Sequence, residues 1–230
     1  FHIAAGGDDW VTLYWKDSAA EGFPGSVSLE VTYRVTEDDA LDIRYRLVPE
    51  EDTPVNLTNH AYFNLSGGRD ADVLNHELRL MADFYTPAAP DMIPTGEIRK
   101  VEGTSLDFTG RRKLSEVLSE TFGLDHNYVL RGSGYRKAAE LRHVESGRRM
   151  EVYTDQPGIQ IYTGNHCDGS LACKGGVHYQ RYAGICFETQ GFPDAVNRSH
   201  FPGCIVRKNT VFTSRTTYRF HMEPQLVAGK

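Results

Sequence analysis

Two short segments of the sequence contain side chains that could move protons. The first is NLTNHAYFNL (residues 56–65), in which one histidine lies among three asparagines and several apolar residues. An imidazole titrates near neutral pH, so His60 can give or take a proton. A single histidine is also often buried and bonded to nearby backbone. The residues alone leave both interpretations open.

The second segment, ICFETQGFPDA (residues 185–195), places a carboxylate in apolar surroundings. Strand alternation puts Glu188 on the same face as Cys186, so we expect a semi-buried carboxyl group. Burial raises the pKa of such a group, which makes it a better base near neutral pH. The alternative is a glutamate on the polar face of a half-exposed strand, which fits the alternation poorly.

Two further segments could bind hydroxyl groups. In GLDHNYVL (residues 123–130), Asp125 is suited to accept hydrogen bonds from vicinal hydroxyls, although an Asx turn or a helix cap would also explain it. In PGIQIYTGN (residues 157–165), Gln160 lies on the strand face opposite the two isoleucines. That face is either exposed to solvent or part of a polar cleft.

Motifs for several other chemistries are missing from the sequence. It has no GxSxG elbow for a nucleophilic serine. It also has no P-loop or strand-linked GxGxxG motif, so we expect no nucleotide cofactor. The nine histidines are scattered and form no HExxH motif, and we therefore expect no metal ion. Four irregularly spaced cysteines predict reduced thiols and a cytoplasmic location; they are Cys167, Cys173, Cys186 and Cys204.

Composition excludes several classes of partner. The 230 residues are 40% hydrophobic and 24% charged, as in a folded globular protein. A net charge of −6 argues against binding to nucleic acid or to an anionic membrane. No apolar run approaches the length of a membrane span.

Three glycosylation sequons, at Asn56, Asn64 and Asn197, are interpreted as chance matches. Oligomeric state is left open.

Period-two alternation predicts antiparallel strands in much of the chain. Residues 27–35 and 41–47 alternate on either side of an acidic turn, which predicts a hairpin. A second hairpin is predicted around a Ser-Gly turn, and single strands at 159–163, 185–189 and 216–220. Leu114, Val117 and Leu118 have helical spacing, with Ser115 as a candidate cap. The pattern predicts an all-β protein with packed antiparallel sheets and one domain over residues 1–230.

Taken together and in order, these segments resemble the galactose mutarotase (aldose 1-epimerase) family. The resemblance rests on NLTNHAYFNLSG (56–67), GLDHNYVL, PGIQIYTGN, FETQGFPDAVN (187–197) and HFPG (200–203). It implies a large antiparallel β-sandwich, sometimes called a supersandwich. It also implies a cofactor-free isomerase that interconverts the α and β anomers of a free hexose such as galactose or glucose.

The resemblance assigns roles to four residues, and a fifth is expected to contact substrate. Glu188 matches the general base of the family and His60 its general acid. Asp125 and Gln160 match residues that hold sugar hydroxyls, and Asn59 is expected to bind substrate as well. Family members also have a histidine in a His-Gly-Gly stretch and an arginine, both upstream of Phe1. We therefore expect the chain to be N-terminally incomplete relative to the family. The preference between galactose and glucose is left open.

Three functions other than a mutarotase are compatible with parts of the sequence. A non-catalytic sugar-binding or regulatory protein would fit the missing upstream histidine and arginine, but it would need neither His60 nor Glu188. A hexose 6-phosphate epimerase needs a phosphate clamp, for which the basic run 111–113 is the candidate; a solvated helix start explains that run equally well. A glycoside hydrolase using Glu188 and Asp125 would leave His60 without a role.

Overall fold

The protein is built almost entirely of antiparallel strands. The structure is a computed structural model that describes residues 1–18, 22–119 and 122–223; the remaining positions of the predicted domain 1–230 lie outside the described residues. The larger sheet has the spatial order β1 (His2–Gly6), β2 (Trp10–Asp17), β3 (Val27–Thr36), β4 (Ala40–Pro49), β17 (Phe212–Met222), β13 (Arg148–Thr154), β12 (Arg136–His143), β7 (His76–Leu80) and β10 (Arg112–Lys113).

A six-stranded sheet forms the second layer. Its spatial order is β6 (Tyr62–Phe63), β15 (Ile185–Gln190), β14 (Gly158–Tyr162), β11 (Asp125–Leu130), β8 (Ala82–Thr86) and β9 (Arg99–Lys100). A small ribbon pairs β16 (Ile205–Val206) with β5 (Thr53–Pro54). The predicted strands at 159–163, 185–189 and 216–220 are confirmed as β14, β15 and part of the longer β17.

Alternating burial explains why these segments form strands. In β4, Ile43, Tyr45 and Leu47 are buried, whereas Arg44 and Arg46 between them are exposed. The predicted first hairpin is confirmed because β3 and β4 pair along their whole length. The second hairpin is confirmed by the pairing of β12 with β13.

The two large sheets pack against each other across one hydrophobic core. Tyr218 of β17 donates a hydrogen bond from its hydroxyl group to the carbonyl oxygen of Phe187 in β15, at 2.9 Å. Phe63 of β6 packs on Tyr218 with a ring-centroid distance of 4.8 Å. These contacts join strands of different sheets. The prediction of an all-β sandwich is therefore confirmed.

The predicted helix is present but begins differently from expectation. It is α1 (Leu114–Leu118), and it buries Leu114, Val117 and Leu118 as their spacing predicts. The prediction of a Ser115 cap is wrong: Lys113 occupies the N-cap position without a side-chain bond. Ser115 is already inside the helix, where its N–H bonds to the carbonyl oxygen of Leu74. In the described ranges, no helix is long and apolar enough to cross a membrane.

Candidate active site

The outer face of the six-stranded sheet gathers polar side chains from three neighbouring strands. Strand register places Asn127 of β11 opposite Gln160 of β14, and Gln160 opposite Glu188 of β15. Their chain neighbours Ile161 and Phe187 point into the core. The adjacent row on the outer face consists of Asp125, Tyr162, Cys186 and Tyr62. Predicted site residues from distant segments are thus brought together by antiparallel pairing.

His60 reaches this face from an irregular segment, residues 55–61, that precedes β6. Its Nε2 lies 3.5 Å from Oε1 of Glu188. Its Nδ1 lies 3.4 Å from Sγ of Cys186. The His60 ring also packs against Tyr62 and Tyr162, with centroid distances of 5.2 and 5.8 Å. The side chain of His60 is 50% exposed and that of Glu188 only 11%, so the pair is open to solvent on the histidine side.

Burial controls the electrostatics of the pair. Removal from water raises the pKa of Glu188; the His60 charge opposes this change and the nearby Asp125 adds to it. The expected rise in the pKa of Glu188 is confirmed. Burial also raises the pKa of Cys186, with a further contribution from Glu188. Glu188 is therefore a stronger base near neutral pH than an exposed glutamate would be.

Asp125 and Gln160 form a hydrogen-bonded pair next to Glu188. Gln160 Nε2 donates to Asp125 Oδ1 at 2.7 Å. Asp125 begins β11 and pairs with Tyr162, so it belongs to a strand and not to the helix cap or turn that the sequence left open. Within the described ranges, Oε1 of Gln160 is buried and has no hydrogen-bond partner. A buried acceptor of this kind is best satisfied by a hydroxyl or water donor.

Asparagines in the segment 56–59 support the site by bonding to backbone. Oδ1 of Asn59 accepts a hydrogen bond from the N–H of Ala61 at 3.2 Å, which shapes the turn that carries His60. Asn56 bonds to both the N–H and the carbonyl oxygen of Gly191, at 2.8 and 3.2 Å, and ties this segment to the end of β15. Contact of Asn59 with substrate stays a prediction.

Sequence reasoning missed two features of the site. Asn127 is buried and donates to Oγ1 of Thr86 at 3.2 Å; its position two residues after Asp125 on the same strand was the available signal. An open depression of about 570 Å³ borders the site and includes His166 in its lining. Tyr162 links this depression to the pair of His60 and Glu188, because its ring packs on both His60 and His166.

The fold and the site agree with comparisons to known proteins. The family model described as aldose 1-epimerase matches residues 4–219. This chain therefore belongs to the aldose 1-epimerase family. It is 43% identical over 203 residues to galactose mutarotase of Mus musculus, covering 87% of this chain and 59% of that protein. It is 35% identical over 218 residues to aldose 1-epimerase of Escherichia coli K12, covering 90% and 62% respectively.

Solved structures give the same result for the fold. A Caenorhabditis elegans aldose epimerase homologue superposes with a TM-score of 0.88 and 27% identity, covering 97% of this chain and 69% of that one. Galactose 1-epimerase from Lactobacillus acidophilus superposes with a TM-score of 0.80 and 25% identity, covering 96% and 65%. The chain spans about three-fifths of the length of the curated relatives it matches.

Proposed function

We propose that this chain carries the proton-transfer groups of an aldose 1-epimerase, an isomerase that interconverts the α and β anomers of a free hexose. The observation that carries the proposal is the 3.5 Å separation between His60 Nε2 and Glu188 Oε1 on the open face of a sheet. An acid and a base this close can act on two oxygens bonded to the same carbon. The anomeric carbon of a pyranose bears such a pair, its ring oxygen and its hydroxyl group.

The reaction needs one proton removed and one supplied. Glu188 takes the proton of the anomeric hydroxyl while His60 gives a proton to the ring oxygen. The bond between the anomeric carbon and the ring oxygen breaks, and an open-chain aldehyde forms. Rotation about the adjacent carbon–carbon bond presents the other carbonyl face. The reverse proton transfers then close the ring as the opposite anomer, and both residues return to their starting states.

Sugar binding is assigned to the groups beside the pair. The carboxylate of Asp125, already oriented by Gln160 at 2.7 Å, is suited to accept bonds from two neighbouring hydroxyl groups. The unpartnered Oε1 of Gln160 is a further acceptor. Tyr62 and Tyr162 flank His60 and offer ring surfaces for the apolar side of a hexose. Asn59 is proposed as an additional substrate contact.

The proposed chemistry transfers protons and breaks and re-forms one carbon–oxygen bond within the sugar, so it requires neither a redox cofactor nor an activated phosphate. The names of the relatives, galactose mutarotase and aldose 1-epimerase, support a free hexose as substrate. A reducing, cytoplasmic setting is part of the proposal. It is supported by the four cysteines, all within the described ranges, which are free thiols.

Polarimetry of freshly dissolved α-D-galactose and α-D-glucose tests this function. Each of Glu188→Gln and His60→Asn removes one proton-transfer group, and each is expected to lower kcat/KM by about 10²–10⁴-fold. Glu102→Gln is the matched control, because Glu102 is exposed and lies outside the site. Variants that keep the full rate would refute the assignment. Sugar binding by the unaltered chain without faster mutarotation would favour the non-catalytic sugar-binding alternative.

A further inference from the structure

Three different metal-ligating groups converge at the proposed catalytic centre. His60, Cys186 and Glu188 each present one ligand atom, and these atoms all lie within 4.8 Å of one another. The thiol sulfur is 3.4 Å from Nδ1 of His60. The 3.5 Å contact of the Glu188 carboxylate is with the other ring nitrogen, Nε2, so an ion held by the thiol and Nδ1 must draw the carboxylate toward it. Strand alternation predicted that Cys186 and Glu188 share a face, but not that His60 joins them, because His60 comes from an irregular segment.

The distance between the thiol sulfur and the imidazole nitrogen matches that in a small tetrahedral site. Zinc binds sulfur at about 2.3 Å and imidazole nitrogen at about 2.0–2.1 Å, so two such ligands lie about 3.5 Å apart in a tetrahedral site. The observed 3.4 Å between Cys186 Sγ and His60 Nδ1 is close to that value. Half-exposed His60 leaves the fourth position accessible to water. Three protein ligands and one open position are typical of accessible zinc sites.

The chemistry of the ligands selects among metals. Thiolate and imidazole ligands favour zinc and similar transition-metal ions, whereas magnesium and calcium prefer all-oxygen sites. Cys186 and Glu188 are two residues apart on the same face of β15, an inner strand of its sheet, and both are buried. Two of the three ligands are therefore held in fixed relative positions before any ion arrives.

We propose that His60, Cys186 and Glu188 form an inhibitory binding site for zinc or a zinc-like divalent cation. On binding, a metal–sulfur bond forms and the thiol proton of Cys186 leaves to solvent. A nitrogen lone pair of His60 and a carboxylate oxygen of Glu188 complete the protein ligands. Resting on the proposed function, the inference adds that the ion occupies both proton-transfer groups, so that metal and sugar turnover exclude each other.

Cobalt titration tests binding without reference to activity. Addition of Co²⁺ to the reduced chain is expected to give a thiolate-to-cobalt absorption band that saturates at one equivalent. Cys186→Ser removes the sulfur ligand and is expected to abolish the band. Cys173→Ser, at an exposed cysteine, is expected to leave it unchanged. A band that persists in Cys186→Ser, or that disappears in Cys173→Ser, would place the ion elsewhere and overturn the proposal.

Because Cys186 is fully buried, misfolding of Cys186→Ser would also abolish the band. A second variant separates loss of the ligand from loss of the fold. His60→Ala alters a half-exposed side chain, and it is expected to weaken Co²⁺ binding at least about 10-fold while the circular dichroism spectrum is retained. Binding unchanged in this variant would count against the site.

Inhibition by Zn²⁺ is then measured by polarimetry, with each variant compared with its own metal-free rate. The unaltered chain should lose activity with Zn²⁺ and recover it with a chelator, and Cys186→Ser should need at least about 10-fold more Zn²⁺ for half-inhibition. A thiolate–cobalt band in a chain without mutarotase activity would refute the proposed function and leave the metal site standing. Mutarotase activity in a chain that gives no such band would support the proposed function and refute the metal site.

Discussion

Lys137 joins two buried glutamates on the outer face of the larger sheet. Glu140 and Glu151 are direct cross-strand partners on β12 and β13, an arrangement in which like charges repel. Lys137 Nζ lies 2.7 Å from Oε2 of Glu140 and 2.6 Å from Oε1 of Glu151. The glutamate side chains are only 6% and 10% exposed. We therefore expect Lys137→Met to leave two adjacent buried carboxylates with one fewer cation, although Arg149 contacts both and Arg111 contacts Glu140.

The size of the effect follows from the carboxyl groups. Burial opposes ionisation of both, but the bonds from Lys137 and other donors outweigh it and lower the pKa of each from 4.5 to about 2. Lowering a carboxyl pKa this far corresponds to about 3 kcal/mol of stability. Arg149 still contacts both carboxylates in the variant. Lys137→Met should therefore lower the free energy of unfolding at pH 7 by about 2–4 kcal/mol.

The pH dependence of the stability difference shows whether Lys137 acts through its charge or through packing of its side chain. For a carboxyl group with a lowered folded-state pKa, the stabilisation is present above the unfolded pKa, near 4.5, and disappears as pH falls toward 2. The difference between Lys137→Met and the unaltered chain should therefore shrink steadily below pH 4.5. Urea unfolding, followed by tryptophan fluorescence at several pH values, measures it.

Lys16→Met provides the matched control. Lys16 forms an ion pair with Glu50 in which both side chains are more than half exposed, so its loss should leave stability unchanged. A Lys137→Met difference of the same size at pH 7 and pH 3 would refute the electrostatic reasoning. It would assign the effect to packing of the lysine stem.

Three further predictions concern the proposed active site. Because burial raises the pKa of Glu188, kcat/KM should fall as pH is lowered through a value above 4.5; a pH–rate profile that stays flat to pH 4.5 would contradict its role as base. Gln160→Ala removes the donor to Asp125 and should raise KM more than it lowers kcat, as steady-state polarimetry can measure. Gly123→Ala should lower stability by about 1–3 kcal/mol in thermal unfolding, because Gly123 has φ +129° and an added Cβ would clash with Asn165; an unchanged Tm would refute this.

Local pattern was enough to predict seven of the seventeen strands in the described ranges, but not their neighbours. Alternation in β3 and β4 is a property of consecutive residues, so it can be read directly from the sequence. The positions of β17 beside β4 and of β6 beside β15 depend on pairings between distant segments. The Ser115 cap failed for a related reason: β10 leads directly into α1, and tertiary bonding replaces the cap.

The arrangement of the site residues that lie on strands was predictable from the sequence. Alternation placed Glu188 with Cys186, and the register of β14 and β15 then brought Gln160 beside Glu188. The distance between His60 and Glu188 could not be predicted, because residues 55–61 follow no regular period. The ligand cluster at Cys186 was missed for the same reason.

The proposed acid, His60, and the proposed base, Glu188, are held in different ways. Glu188 is fixed in a regular strand, β15, by its pairing with β14, whereas His60 depends on a short irregular segment held by the bonds of Asn56 to Gly191. A displacement of that segment would change the separation of His60 and Glu188 and leave the Asp125–Gln160 pair in place. In this architecture the spacing between His60 and Glu188 can therefore change while the Asp125–Gln160 pair keeps its place, although the proposed contact of Asn59 with substrate would move with the segment.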